Sequence, residues 1–360
     1  MISQMTVFQN TRKQSLLVVA LLAATATMIL IPTSEVQAQS ADNGMWEVPR
    51  TSDGHPDLQG NWTNSTLTPF ERPEGREPVF TWEEVEQRER GIDGCPPNPG
   101  TVECGRQQRQ GSSNEARLSG NEYNEVYWER GTTIAIVNGE PRTSLVTRPA
   151  NGRVPEATPE AQRLIQERRD FRSQFGQYDH PELRPFAERC ILFGSPQGPP
   201  MIPVGAYNSN YIIVQTADFV MIQSEMVHDV RIIRIGEHEP MPKHVRPYFG
   251  NSSARWEGDV LVVETTNISP QQPVRGVPLS EDAKVTERFT RVNEEQILYE
   301  FTVDDPMRFT EPWGGQIPIN QLHAELYEYG CHEGNYSMGN MLRGARLAEA
   351  EHRAQKALED

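Results

Sequence analysis

The sequence predicts a mainly β protein whose strands form an antiparallel meander, closed into a barrel or strongly curved, with a few peripheral helices. From Cys190 onward about eight short apolar segments follow one another, and short turns separate them, which is typical of a meander sheet or barrel. The chain shows no repeat of the length of a propeller blade. A β-sandwich is the alternative architecture for the same pattern.

Residues 1–38 have the three parts of a cleavable secretory signal peptide. Arg12 and Lys13 close a polar start, an apolar stretch runs from Leu16 to Ile31, and Val36-Gln37-Ala38 matches the small-x-small cleavage pattern. The apolar stretch falls short of the ~20 residues that a membrane span prefers, so a transmembrane anchor is the less favoured interpretation. We expect a soluble mature chain without a membrane span, in the periplasm or secreted.

The chain carries 34 basic and 50 acidic residues, a formal net charge of −16. Nucleic acids and anionic membrane surfaces attract basic proteins, so neither is an expected partner. The acidic residues are spread along the chain, which favours a role in solubility. A small-molecule ligand or substrate is the partner that we expect.

Capping residues locate the helices. Residues 39–120 lack apolar periodicity and are expected to wrap around a core built elsewhere; their one helix starts with the capping box of Thr81 and Glu84 and ends at Gly91. The β domain, residues 121–337, contains a helical insertion at 158–189, and residues 338–360 form a charged C-terminal helix. A hairpin is predicted from the strands Thr132–Val137 and Thr143–Thr147, with its turn at Asn138-Gly139. A helix is predicted to start at Thr158-Pro159-Glu160 and to end at about Phe175, and a shorter helix is predicted over Pro181–Arg189.

The strands of the main β region follow from apolar runs and turn residues. They are predicted at Tyr211–Thr216, Phe219–Ser224, Asp229–Ile235, Ser253–Trp256, Val260–Thr266, Lys284–Val292, Gln296–Val303 and Leu322–Tyr329. Because side chains alternate along a strand, Glu287 and Phe289 share one face and Arg288 lies on the other. If the sheet closes, one set of faces lines an interior, and a polar and aromatic lining suits a small ligand.

Four cysteines occur in the chain: Cys95, Cys104, Cys190 and Cys331. An exported chain permits disulfides, and the short Cys95–Cys104 loop is the favoured pair, which leaves Cys190–Cys331 to join the two ends of the main β region. The sequence leaves three pairings open. No C-x-x-C spacing supports a zinc site of four cysteines.

One segment concentrates ionisable groups at a predicted strand boundary: Glu225, His228, Asp229 and Arg231. A histidine steered by a carboxylate can act as general acid or base near neutral pH, so His228 is the candidate base and Asp229 its orienting group. Arg231 or Arg288 would stabilise developing negative charge. The alternative interpretation is a turn histidine and an aspartate that caps a strand end.

The candidate binding residues are Glu225, Glu287, Arg288, His323, Glu325 and Tyr327. His323 and Glu325 share a strand face and would supply two metal ligands if His228 or His332 supplied a third, although a solvated outer face explains them equally well. The sequence contains none of four common motifs: H-E-x-x-H, the G-x-S-x-G elbow, the P-loop and the Rossmann fingerprint. We therefore predict no cofactor, with a metal as the alternative.

Several motifs resemble those of a large group of exported bacterial proteins described only as hypothetical. The motifs are Pro56-Asp57-Leu58-Gln59-Gly60-Asn61-Trp62, Arg255-Trp256-Glu257-Gly258-Asp259 and Cys331-His332-Glu333-Gly334-Asn335. The resemblance covers most of the mature chain and implies no reaction. Gly60-Asn61-Trp62 also resembles the G-x-W of lipocalin-like barrels, which implies a cavity for small apolar molecules.

Three functions remain open on the sequence alone. The first is an enzyme without an organic cofactor that performs acid–base chemistry on a small, partly apolar organic molecule: hydration, dehydration, isomerisation or hydrolysis. The second is a non-catalytic binding or carrier protein for such a molecule. The third is an envelope interaction module. An enzyme predicts that His228, Arg231, Glu287 and His323 converge in one pocket.

Overall fold

The computed structural model describes residues 46–93, 129, 131–204 and 207–359. Its strands are β1 (Gly60–Thr63), β2 (Ile136–Val137), β3 (Glu140–Pro141), β4 (Val146–Arg148), β5 (Asn210–Gln215), β6 (Phe219–Ser224), β7 (Val230–Ile235), β8 (Asn251–Glu257), β9 (Val260–Thr266), β10 (Lys284–Asn293), β11 (Gln296–Asp304) and β12 (Trp313–Gln321). Its α-helices are α1 (Trp82–Asp93), α2 (Pro159–Ser173), α3 (Cys331–Gly334) and α4 (Tyr336–Glu359). The predicted signal peptide, residues 1–38, lies outside the described residues.

Nine strands close into a barrel, in the order β1, β5, β6, β7, β8, β9, β10, β11, β12 and back to β1. A tenth strand, β4, pairs with β12 beside the ring. Neighbouring strands run antiparallel except β7 and β8, which are parallel and joined by a crossover over residues 236–250. The predicted barrel is confirmed, and the alternative of a β-sandwich does not apply.

The strand directions define two rims of the barrel. We call upper rim the end that carries the β6–β7, β9–β10 and β11–β12 connections, and lower rim the end that carries the β5–β6, β8–β9 and β10–β11 connections. Because hairpins alternate between the ends of a barrel, every side chain near a turn can be assigned to one rim. Residues on opposite rims cannot share a site.

Large side chains fill the interior of the barrel. Trp62, Tyr211, Phe289, Tyr299 and Phe301 are each at most 1% exposed and belong to one hydrophobic cluster with many aliphatic residues of the strands. Such packing is that of an ordinary protein core. In the part of the chain that the structure describes, the interior is therefore a packed core rather than the polar-lined ligand cavity suggested by the strand faces.

The last strand of the barrel is β12, and the predicted strand Leu322–Tyr329 is wrong. The segment has no strand pairing; Leu322 N donates to Asn61 O at 2.8 Å, and His228 Nδ1 lies 3.2 Å from Tyr329 O. It therefore runs from the lower rim to the upper rim. Strand β12 already pairs with β11 on one side and with β4 and β1 on the other, so the segment that follows it finds no free edge of β12 to pair with.

The two best-marked helices start as predicted, although α1 continues past its predicted end at Gly91 to Asp93. In α1, Glu84 N donates to Thr81 Oγ1 at 3.2 Å and Thr81 N donates to Glu84 Oε2 at 2.9 Å, which is the predicted capping box. In α2, Ala161 N donates to the Thr158 hydroxyl at 3.2 Å. The charged C-terminal segment is likewise helical, as α4.

The predicted helix over Pro181–Arg189 is wrong, because only Pro181–Leu183 forms a short 3-10 turn. Arg184 has an extended backbone, with φ −81° and ψ 149°. Proline disfavours a helical conformation in the residue before it, so Pro185 ends the turn.

Two further connections support the barrel. Asn138 and Gly139 have φ values of 53° and 78° and form the predicted turn, between β2 and β3. The predicted second hairpin strand, Thr143–Thr147, is wrong: Glu140–Pro141 pairs with β2, and Val146–Arg148 forms β4, which pairs with β12. Cys190 and Cys331 form a disulfide, which confirms that predicted pair. Cys95 and Cys104 lie outside the described residues.

None of the helices in the described part of the chain has the length and apolar character that a membrane crossing requires.

Candidate functional site

Arg231 and Glu287 meet inside the barrel. Arg231 Nη1 and Nη2 donate to the two carboxylate oxygens of Glu287 at 3.0 and 2.6 Å, and the side chains are 3% and 0% exposed. Tyr299 OH donates to Glu287 Oε1 at 2.8 Å and accepts a hydrogen bond from Met201 N at 2.9 Å. Burial and the nearby Glu287 carboxylate hold the pKa of Tyr299 well above its usual range, so the phenol stays a donor. Because the two side chains bond to each other and to Tyr299 and are almost fully buried, the ion pair has a structural role.

A segment of irregular backbone, residues 194–202, covers this pair from the upper rim. Tyr211 OH donates to Pro196 O at 2.8 Å, and Met201 and Ile202 are almost fully buried. Gly198 has a φ of +72°, and a Cβ there would lie 2.9 Å from Met201 Cγ and 3.1 Å from Arg231 Nη1. Glycine is therefore required for the close approach of this segment to the ion pair.

Two carboxyl groups lie together at the upper rim. Asn210, at the start of β5, donates from Nδ2 to Glu129 Oε1 and to Glu225 Oε2, the latter at 3.1 Å. Burial and then the charge of Glu225 raise the pKa of Glu129 to about 7, and burial raises the pKa of Glu225. One amide thus holds two desolvated carboxyl groups, and they do not both ionise readily near neutral pH.

A third carboxyl group, that of Asp229, lies four residues after Glu225 in the β6–β7 connection. Gln197 Nε2 donates to Asp229 Oδ2 at 2.7 Å. Burial raises the pKa of Asp229 to about 6, against the opposing effects of the Gln197 hydrogen bond and of His228. His228 itself is exposed, with Nδ1 3.2 Å from Tyr329 O. Asp229 is therefore hydrogen-bonded to Gln197, and His228 to Tyr329. The expected orientation of His228 by Asp229 through a hydrogen bond is not present.

The backbone of the β6–β7 connection is strained beside these carboxyl groups. Val227 and His228 have φ values of 64° and 45°, in the left-handed region that β-branched residues in particular avoid. Hydrogen bonds hold Met226 on both sides: its N donates to Asn208 Oδ1 at 2.7 Å, and its O accepts from Gln197 Nε2 at 3.0 Å. Strain of this kind persists where surrounding contacts over-determine the backbone, as at many functional sites.

Several buried polar atoms around the carboxyl pair have no hydrogen-bond partner among the described residues. They are Glu129 Oε2, Asn208 Nδ2 and Ser209 Oγ. Nearly all buried polar atoms in folded proteins are hydrogen-bonded, so a group of exceptions is notable. Donor and acceptor capacity thus remains for a polar molecule at this rim.

The other sequence-predicted residues lie apart from the upper rim. His323 Nε2 is 2.8 Å from Glu295 Oε2 in the β10–β11 connection at the lower rim, so His323 and His228 are at opposite ends of the barrel. Arg288 points outward and donates to Glu257 Oε2 at 3.0 Å. Glu325 and Tyr327 are exposed. The expected convergence of His228, Arg231, Glu287 and His323 is therefore wrong, because only Arg231 and Glu287 meet.

The arrangement that the metal alternative requires is absent from the described residues. Among residues 46–93, 129, 131–204 and 207–359, no three His, Cys, Asp or Glu side chains lie close enough together to hold a metal ion. His323 contacts Glu295 at the lower rim, whereas His228 lies at the upper rim, so these two do not share a site.

Sequence reasoning missed Glu129, Gln197 and Asn210. Glu129 lies in a segment without strand periodicity, and no local motif marks it. The asparagines at 208 and 210, directly before an apolar strand, are the one signal that polar chemistry belongs to this rim.

The fold and the site define a nine-stranded mixed barrel with a desolvated carboxyl pair at its upper rim. The chain matches no protein-family model, and no curated protein matches its sequence.

Proposed function

We propose that the protein is an acid–base enzyme that acts on a small, partly apolar organic molecule at the upper rim, without an organic cofactor. The observation that carries this proposal is the pair of carboxyl groups, Glu129 and Glu225, which share the side-chain amide of Asn210. Hydration, dehydration, isomerisation and hydrolysis are the reaction classes that such a pair serves. Export to the periplasm or the medium is part of the proposal and is supported by the Cys190–Cys331 disulfide.

In the proposed reaction one carboxyl group of the pair donates a proton and the other accepts one. A general acid must hold a proton at the working pH while a general base must have lost one, and environments that separate the pKa values of two carboxyls achieve this. Burial raises the pKa of both groups, and the charge of Glu225 raises that of Glu129 further. Glu129 is accordingly the proton donor and Glu225 the base in the proposed reaction.

Asp229, Gln197 and His228 complete the proposed site. Gln197 anchors Asp229 and also donates to Met226 O, directly before the strained residues Val227 and His228, so it positions the connection that carries Glu225. His228 is exposed at the same connection, with Nδ1 3.2 Å from Tyr329 O. Arg231 is assigned no catalytic role, because its guanidinium group is buried against Glu287.

The alternative of a carrier finds less support. A lipocalin-like carrier holds its ligand inside the barrel, but aromatic side chains such as Tyr211, Phe289 and Tyr299 fill the described interior. A binding function would therefore have to use the outer surface of the protein.

The proposal is tested by substrate discovery with matched variants. Purified protein is incubated in D₂O with a small-metabolite extract of its host, and mass spectrometry detects compounds that are consumed or acquire deuterium. Glu129→Gln and Glu225→Gln should each slow the conversion by about 10²-fold or more, as loss of a general acid or base does. Glu294→Gln, in the exposed β10–β11 connection, is the control and should convert at the wild-type rate.

The outcomes separate catalysis from binding. If no compound is converted, or if both carboxyl variants convert it at the wild-type rate, the proposed catalysis is wrong. Thermal denaturation of each variant checks that a loss of rate does not reflect a loss of folded protein.

A further inference from the structure

Helix α2 separates its charges onto two opposite faces. Arg163 forms ion pairs with Glu160, at 2.7 Å, and with Glu167. With 3.6 residues per turn, the opposite face carries Arg168, Arg169 and Arg172. The acidic partners available on the helix thus lie away from these three arginines.

The arginine face borders a groove of about 610 Å³. The other wall is the β9–β10 connection at the upper rim, and apolar side chains line both walls: Ile165, Phe175, Pro273 and Pro278. Neither an aspartate nor a glutamate lines it. The groove has the size of a small-molecule site, and its lining combines apolar surface with fixed positive charge.

None of the three guanidinium groups has a carboxylate partner among the described residues. Arg169 makes no hydrogen bond or ion pair in that part of the chain, and Arg168 donates only to Pro270 O at 3.2 Å. Arg172 donates from Nη2 to Leu183 O, while its Nη1 is buried without a partner. Among the described residues, therefore, no carboxylate forms an ion pair with the arginines that line the groove.

We propose that this groove binds a small organic anion, with a carboxylate on a planar or short aliphatic apolar body. The fork of donors on a guanidinium group matches a carboxylate, and the apolar wall covers the body of the ligand. The occupant is a small molecule because the groove is of that size and its charge is concentrated on one helix turn. This site shares no residue with the carboxyl pair, so it stands independently of the proposed catalysis.

Calorimetric titration with 2-naphthoate tests the proposal on the whole protein. Wild type should bind it with a dissociation constant on the order of 0.1–1 mM, as one charge-assisted contact and one apolar contact allow. The double variant Arg168→Gln/Arg169→Gln should bind at least about tenfold more weakly, because two guanidinium donors are lost. Arg163→Gln, on the opposite face of the same helix, is the matched control and should retain the wild-type affinity.

A second probe separates charge from apolar contact. The neutral 2-naphthamide has the same ring system and should bind at least about tenfold more weakly than 2-naphthoate. The proposal is overturned if wild type gives no binding at about 10 mM naphthoate, ten times the weakest expected constant. Equal affinity for the amide, or equal affinity of the double variant, also overturns it. Both substituted side chains are exposed, and circular dichroism confirms that the double variant is folded.

Discussion

Glu129 acquires its chemistry from its surroundings. Its carboxyl group is desolvated and lies near Glu225, and these two effects raise its pKa to about 7 against the opposing hydrogen bonds from Asn210 and the backbone of Ser209. Perturbed carboxyl groups of this kind concentrate at functional sites, because a group must titrate near the working pH to transfer protons well.

We expect the free energy of unfolding to fall as pH rises through the range in which Glu129 ionises. The pKa of Glu129 in the folded protein lies above the ordinary glutamate value of 4.5, so the native state binds more protons than the unfolded state between about pH 4.5 and 7. Stability contributed by the protonated form is therefore present at low pH, is lost through this window and changes no further above it. Urea unfolding of wild type and Glu129→Gln between about pH 5 and 8 measures the effect.

In Glu129→Gln the dependence on pH should be weaker, because the variant lacks the titrating group. Glu225 and Asp229 keep their raised pKa values and still lower the free energy of unfolding as pH rises. The plot of the free energy of unfolding against pH should therefore be less steep in the variant, but not level. Glu294→Gln provides the comparison, as its exposed side chain lies on the lower rim. Parallel profiles for wild type and Glu129→Gln would show that Glu129 titrates normally.

Strand β12 depends on residues that are poor strand formers. Gly314 and Gly315 stand at its start, and Pro318 lies within it. Gln316 N donates to Leu145 O, on the side of β12 that faces away from β11. The backbone nitrogen of Pro318, two residues later, points to the same side. There Pro318 lies between the residues of β12 that pair with β4 and those that pair with β1. Its missing N–H therefore removes no ladder hydrogen bond, which is the position that proline tolerates in a sheet.

We expect Gly314→Ala to destabilise the barrel. A Cβ at this position would lie 2.0 Å from Phe301 O on the neighbouring strand, so β11 and β12 must separate locally. The cost should reach about 1–3 kcal/mol or more, as for other overpacked sites. Thermal and urea denaturation measure it.

Gly344→Ala in α4 is the control, since a Cβ there meets no atom within 4 Å. Alanine favours a helix by about 0.5–1 kcal/mol over glycine, so this variant should be no less stable than wild type. Equal destabilisation by the two substitutions would mean that the close approach at Gly314 does not matter.

The ion pair of Arg231 and Glu287 connects opposite parts of the barrel. Arg231 belongs to β7 and Glu287 to β10, which are separated in the ring by β8 and β9. Tyr299 of β11 and the segment 194–202 add hydrogen bonds to the same centre. The pair thus fixes the positions of strands that do not touch each other along the sheet.

We expect Glu287→Leu to lower the free energy of unfolding by about 3–5 kcal/mol, because it leaves the Arg231 charge buried and unpaired. The double variant Arg231→Met/Glu287→Leu removes both charges and should recover most of this loss, since a packed apolar pair avoids the desolvation of two ions. Urea denaturation of both variants and of Arg288→Leu provides the test. Arg288 is the next residue on β10 but points outward, so its loss should change stability little.

A double variant as unstable as Glu287→Leu would assign the loss to shape or to Tyr299 rather than to the unpaired charge. Equal destabilisation by Arg288→Leu would contradict the importance of burial. Either result would change the account of what holds the barrel together.

Local patterns in the sequence determined much of the secondary structure. The β6 and β9 strands match their predicted bounds, and the capping residues place the starts of α1 and α2. Glu287 and Phe289 share one face, as period-two alternation predicted, and the structure shows that this face is buried. These features depend on neighbours within a few residues, so the sequence carries them directly. Turn chemistry and short connections likewise predicted a meander that closes.

Only the tertiary structure decided which elements meet. The alternation in Leu322–Tyr329 is real but leads to no strand, because both sides of β12 are already paired, one with β11 and the other with β4 and β1. Glu129, Gln197 and Asn210 converge on the upper rim from segments far apart in the chain, whereas His228 and His323 end on opposite rims. Desolvation and pairing of charges depend on these long-range contacts, so the sequence determined the strands while only the folded chain determined the site.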